Sequence, residues 1–167
     1  MIFILSSNTK KDGKLLLEGV EYADGAKTNN GANTIIEKNG VKIGVFGITT
    51  PQTATSANPL GLVGVTFEDV IETSKEQITA LKEQGAQVIV GLMHVGIDKS
   101  SPITTPEVAK GLEGTGIHII IDGHSHSQFN EELNGIHIAQ TGTASANLGQ
   151  IKVKVDGEFK VFKQDAI

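Results

Sequence analysis

Apolar and polar positions along the chain predict strands toward both ends and a helical crossover between them. Residues 2–5 form a short β-prone run from the first residue, broken by Ser6-Ser7-Asn8 and the lysines that follow. Leu15 to Tyr22 and Thr34 to Lys38 have the composition of meander strands, with Asp24-Gly25 and Asn29-Asn30-Gly31 marking a turn-rich loop between them. Asn39-Gly40 is a two-residue hairpin signal that leads into the apolar stretch Val41 to Ile48.

From Thr49 to Val65 the chain is rich in Thr, Pro, Ser, Gly and Asn, which predicts a loop. Thr66 to Asp69 then fits a capping box, and Phe67, Val70, Ile71, Ser74, Ile78 and Leu81 keep helical spacing until Gly85 stops the run. A buried-type strand follows and ends at His94. After a polar loop, Thr105 opens a short helix with Pro106 in its first turn, and a second apolar strand ends at Asp122. Strand, helix, strand, helix, strand describes a parallel βαβ core. Ile136 to Gln140 and Gln150 to Val155 read as further strands, with Asp156-Gly157 turning into Phe159 to Phe162, so the tail is β-rich and antiparallel. The fold class is mixed α/β, a single domain over residues 1–167 with no internal repeat or linker.

Composition narrows what this unit can do. The net charge is −5 and all 14 cationic residues are lysines, so there is no basic field for a nucleic acid polymer and no guanidinium fork for a phosphate. Any phosphate is then held by metal, lysine or backbone amides. Cysteine is absent, which excludes disulfides and thiolate ligands. No apolar run reaches the length of a membrane span, and Met1 to Leu5 lacks the basic leader and long apolar region of a signal peptide.

Candidate chemistry concentrates at two strand ends. Ile119-Ile120-Ile121 runs into Asp122-Gly123-His124-Ser125-His126-Ser127, with two histidines at i and i+2, which share a face if the segment is extended. Upstream, Val88 to Met93 ends in His94-Val95-Gly96. Parallel strands carry functional groups at their carboxyl ends, and neighbours lie about 4.8 Å apart, so His94 can sit beside His124. His94, His124 and His126 are the candidate metal ligands. Asp122 is either a carboxylate that orients an imidazole from behind the ligands or a turn former, and Asn58 and Thr49-Thr50-Pro51 can face the same rim. His118 and His137 lie within strands and read as structural.

A different chemistry takes residues 123–127 as a degenerate nucleophile elbow with Ser125 as nucleophile. That motif needs glycine where Ser127 stands and an acid followed by a histidine downstream, yet no histidine follows Asp156 or Asp165.

These residues resemble the calcineurin-like metallophosphoesterases, in the 5′-nucleotidase branch that includes UDP-sugar hydrolases and cyclic-nucleotide phosphodiesterases. The resemblance rests on Gly44-Val45-Phe46-Gly47-Ile48-Thr49-Thr50 after a hairpin, the His94-Val95-Gly96 turn and Asp122-Gly123-His124-Ser125-His126. Asn134-Gly135 before a strand, Gly142, Leu148-Gly149 and the opening Phe3 to Asn8 extend it over nearly the whole chain. It implies an αββα sandwich of which this chain is one part. The family's Gly-Asp and Asn-His pairs are absent, and the only Asp-x-His, Asp122-Gly123-His124, belongs to the later motif. The chain therefore resembles the second half of a catalytic domain, without the N-terminal half or the C-terminal substrate domain that supplies aromatic and arginine contacts to the base.

By that resemblance His94 and His124 bind one divalent ion, zinc, manganese or similar, and His126 the other. Two cations about 3.5–4 Å apart clamp phosphoryl oxygens and activate a water, hydrolysing a nucleotide or related phosphoester. Three histidines alone imply at most one weakly held ion, completed by water or Asp122, and little turnover. The resemblance also implies an exported, periplasmic, secreted or surface location. A non-catalytic interaction module with the same fold is the remaining reading, and an uncovered sheet face predicts homo-oligomerisation.

Overall fold

A computed structural model describes residues 4–19, 30–155 and the backbone of 160–162. Strands β1 (Thr9–Lys11) and β2 (Lys14–Leu15) form a small hairpin. Strands β3 (Asn33–Lys38) and β4 (Val41–Thr49) form the next, joined by Asn39 and Gly40 with φ of 53° and 76°. Two left-handed residues in succession match the twist of the flanking strands, which is what the Asn-Gly pair predicts.

Helix α1 (Thr53–Ser56) and a 3₁₀ turn over Pro59–Leu62 lie within the stretch expected to be loop. Strand β5 (Val65–Phe67) pairs with β1, and helix α2 (Val70–Glu83) follows. Then come β6 (Val88–His94), α3 (Thr105–Gly111), β7 (Ile119–Ile121), β8 (Gln128–Leu133) and β9 (Ile136–Thr141). A two-stranded ribbon of β10 (Lys152–Lys154) and β11 (Lys160–Phe162) closes the described chain.

The central sheet has the order β3-β4-β6-β7-β9-β8. Its four inner strands are parallel, and β3 and β8 run antiparallel at the edges. Helices α2 and α3 bridge parallel neighbours, so both crossovers expected from the pattern are present. Phe46, Ile48, Ile89, Met93, Ile120, Ile136 and Ile138 meet Val70, Ile78 and Leu81 of α2, Val108 of α3 and Leu112 just past its end in one buried cluster. Alternation along β6 sends Val90, Leu92 and His94 to the opposite face, where Leu92 and Ile121 are each 43% exposed and Ile36 is 41% exposed.

Several boundaries differ from the pattern for identifiable reasons. Thr66 does not cap α2: it pairs with Lys10 in β5, and the cap is Asp69, whose carboxylate accepts from the Ile71 and Glu72 amides. Thr104, one residue before the expected opener, caps α3 in a reciprocal box with Glu107. Ile4 and Leu5 are not in a strand, and β2 ends at Leu15, with turns through residues 16–19. The rest of the expected strands at 2–5 and 15–22, the Asp24-Gly25 turn, Asn29, the Asp156-Gly157 turn and Phe159 lie outside the described residues. Strand β8 was not predicted because its apolar residues, Phe129 and Leu133, are four apart, a spacing that suits either period.

His118 is structural, as expected. Its Nδ1 accepts from the Ile89 amide at 3.1 Å, so it is held neutral, and burial followed by the nearby Lys82 charge lowers its pKa. A histidine with a depressed folded pKa binds fewer protons folded than unfolded, so its share of stability is full above the unfolded value and declines as pH falls toward the folded one. Urea melts are expected to show stability falling from about pH 6.5 downward. His118→Gln is expected to flatten that slope, leaving the part contributed by His94, whose pKa is also lowered.

Candidate metal centre

The functional rim forms where β4, β6 and β7 end. His94 closes β6 beside Thr49 of β4, and His124 stands in the loop after β7. His94 Nε2 and His124 Nδ1 are 3.1 Å apart, with ring centroids at 4.9 Å and planes at 72°. The other His124 nitrogen, Nε2, lies 2.7 Å from Oε1 of Gln52. An amide oxygen only accepts, so Nε2 carries the proton and the Nδ1 lone pair points at His94. Burial, then the neighbouring His124, lower the His94 pKa; His126 adds to this and Asp122 partly opposes it. Both effects weaken proton binding at His94 and so favour its neutral imidazole.

With the His124 Nδ1 lone pair accepting, the 3.1 Å contact is a hydrogen bond donated by His94 Nε2–H, and only the other His94 tautomer turns both lone pairs toward a shared cation. Imidazole ligands at about 2.0–2.1 Å from a shared zinc stand roughly 3–3.4 Å apart for ordinary ligand angles. The pair in this structure falls within that range, so its donors fit one divalent cation. Gln52 fixes the tautomer from the far side, as partners of ligating histidines commonly do.

His126 is exposed, within electrostatic reach of His94. Among the described residues no three His, Asp or Glu side chains converge into a group able to hold a metal ion. The expectation of an extended segment after β7 is overturned. His124 and His126 have φ of 80° and 55°, so the chain coils through left-handed backbone, and alternation along a strand does not set their directions. Each such non-glycine residue costs about 1–2 kcal/mol and persists only where its surroundings hold it.

Asp122 is buried and committed elsewhere. Its oxygens accept from the Val95 amide at 2.9 Å, the Gly96 amide at 3.1 and 3.3 Å, the Thr105 hydroxyl at 2.5 Å and the Gln140 amide at 3.2 Å. No imidazole is among these partners. The carboxylate folds the turn after His94 and so places that ring indirectly. Ser125 Oγ donates to Gln140 Oε1 at 2.9 Å and accepts from the Ile97 amide at 3.2 Å, with no imidazole base beside it, which removes the geometry an elbow serine needs. Gln52 and Gln140 were not legible as site residues. Gln52 lies in the stretch read as loop, and Gln140 looks like the polar end of an apolar strand.

The trifunctional nucleotide phosphoesterase YfkN of Bacillus subtilis is 34% identical to this chain over 154 residues, 77% of the chain and 10% of YfkN. A 5′-nucleotidase of Vibrio vulnificus is 33% identical over 130 residues, 73% of the chain and 21% of that protein. The crystal structure of the calcineurin-like phosphoesterase YfkN superposes on 96% of this chain and 53% of its own, with a TM-score of 0.70 at 27% identity. The chain belongs to the 5′-nucleotidase-like phosphoesterases. A 5′-nucleotidase precursor of Thermus thermophilus, 21% identical with a TM-score of 0.74 over 99% of this chain and 33% of its own, shares the fold. No protein-family model matches. This phosphoesterase chain spans only a tenth to about a fifth of the length of the two curated relatives compared. Among the described residues no helix is long and apolar enough to cross a membrane.

Proposed function

We propose that this chain supplies part of the metal site of a nucleotide phosphohydrolase, in which His94 and His124 would hold one divalent cation and His126 would serve a second. The observation that carries this reading is the 3.1 Å approach of two ring nitrogens at neighbouring strand ends, with Gln52 behind one of them. A bound cation pair would supply a metal-activated water and a clamp on the phosphoryl oxygens. The chain's own part is to hold neutral imidazoles at a fixed separation on a rigid sheet edge. The two histidines in contact leave most of a coordination shell to other groups, so the remaining ligands, including a bridging carboxylate, come from outside the described residues. Nucleotide phosphoesters are the substrate class, supported by what the relatives are named for. Base recognition lies outside residues 1–167, consistent with the absence of arginine, and an exported location follows the resemblance alone.

Assays with p-nitrophenyl phosphate and AMP, with added Mn²⁺ or Zn²⁺, test this reading. Turnover near background is expected from the isolated chain. Robust hydrolysis abolished by His124→Ala would show that the site is complete here after all.

One observation favours the interaction-module reading: Leu92, Ile121 and Ile36 are exposed on the sheet face opposite the helices. Concentration-dependent self-association in sedimentation, together with no metal binding, would support that alternative.

A further inference from the structure

The loop carrying the two histidines is fastened to a single side chain. We propose that Gln140 is the positioning residue of the metal site, its amide holding His124 and His126 in their left-handed backbone and tying their loop to the turn after His94. The inference rests on the metal reading above for its functional meaning, but its geometry stands apart from it.

Gln140 is 3% exposed, one residue before the end of β9. Its Oε1 accepts from the Ser127 amide at 2.6 Å and from Ser125 Oγ at 2.9 Å. Its Nε2 donates to the Gly123 carbonyl at 2.8 Å and to Asp122 Oδ2 at 3.2 Å. A side-chain amide has two acceptor sites and two donor hydrogens, and here all of them go to residues 122–127. By contrast, the backbone-to-backbone bonds of residues 123–127 are Ser125 N to Gly123 O and Gly142 N to Ser127 O. Strained backbone persists only when over-determined, and the glutamine amide supplies three fixed points on residues 123–127, at Gly123, Ser125 and Ser127, more than any other single side chain among the described residues. Through Asp122, which gathers the Val95 and Gly96 amides, the same amide sets the position of one strand-end loop against the other. A buried glutamine that merely satisfied its own polarity would have no reason to contact only this segment.

Gln140→Met keeps the volume without the hydrogen bonds, and Gln140→Glu keeps the acceptor while losing the donors toward Gly123 and Asp122. Each variant is compared with the wild type by circular dichroism, by backbone chemical shifts of the metal-free protein and by zinc calorimetry. The expected result is a folded protein in which His124 and His126 leave their left-handed shift range while Ile78 and Leu81 of the distant helix α2 keep theirs. Zinc affinity is expected to fall by about tenfold or more, the usual loss when support behind a ligand is removed. Unchanged histidine shifts with unchanged zinc affinity would overturn the inference. If the wild type takes no zinc, the metal reading fails by itself and the shifts alone decide. If neither variant folds, Ser125→Ala, which removes one fixed point and leaves Gln140 in place, decides by the same shifts: movement at His124 and His126 supports the inference and none overturns it.

Discussion

Replacing Asp122 by alanine is expected to cost about 3–5 kcal/mol of stability, measured by urea denaturation, because several buried donors lose their acceptor at about 1–3 kcal/mol each. Asp122 is 9% exposed, and its oxygens face hydrogen-bond donors rather than a cation. Its loss strands the amides of Val95 and Gly96 and one hydrogen of Gln140 in a dry site, and leaves the Thr105 hydroxyl only the Gly96 carbonyl. Asp122→Asn is expected to recover only part of this, because one of its two heads becomes a donor facing donors. A variant that melted like the wild type would mean that the turn after His94 is held by something else.

Gly47→Ala is expected to be the other severe substitution. An added Cβ would overlap the carbonyl carbon and oxygen of Leu5 and lie 2.7 Å from the Leu5 Cβ, so the obstruction is mainly backbone. The segment over Gly47 is tied down by the Ser7 amide on the Gly47 carbonyl at 2.8 Å and by Ser7 Oγ on Ala32 O at 2.9 Å. Asn8 adds a reciprocal pair with the Thr49 backbone, at 2.8 and 2.9 Å. Overpacking of this kind costs about 1–3 kcal/mol or more, and the cost is capped here by undocking of residues 4–8. Limited proteolysis is expected to cleave Gly47→Ala near its start much faster than the wild type. Because Thr49 pairs with His94, undocking would also loosen the metal rim.

The central sheet was legible because its inner strands are β-branched runs punctuated by Gly, and because Asn39-Gly40 fixes a hairpin without tertiary help. The rim at which β6 and β7 end was legible for the same reason. What the sequence concealed was the backbone after Ile121. His124 and His126 suggest an extended pair, whereas the observed left-handed path is accompanied by tertiary contacts from Gln52, Ile97 and Gln140 that no local pattern reveals. Gln52 was hidden differently, since nothing in a Thr- and Pro-rich loop indicates which amide will reach across to a ring 72 residues later. Thr66 misled because it fits a capping pattern, yet pairing with β1 claimed it for a strand.

The measurement that bears most directly on the account is calorimetric titration of the metal-free chain with Zn²⁺, run beside His94→Ala and His124→Ala. One ion per chain is expected for the wild type, with affinity reduced about tenfold or more in each variant because each removes half of the observed nitrogen pair. Zinc binding unaffected by either substitution, or no zinc binding by the wild type, would contradict the claim that these two imidazoles share a cation.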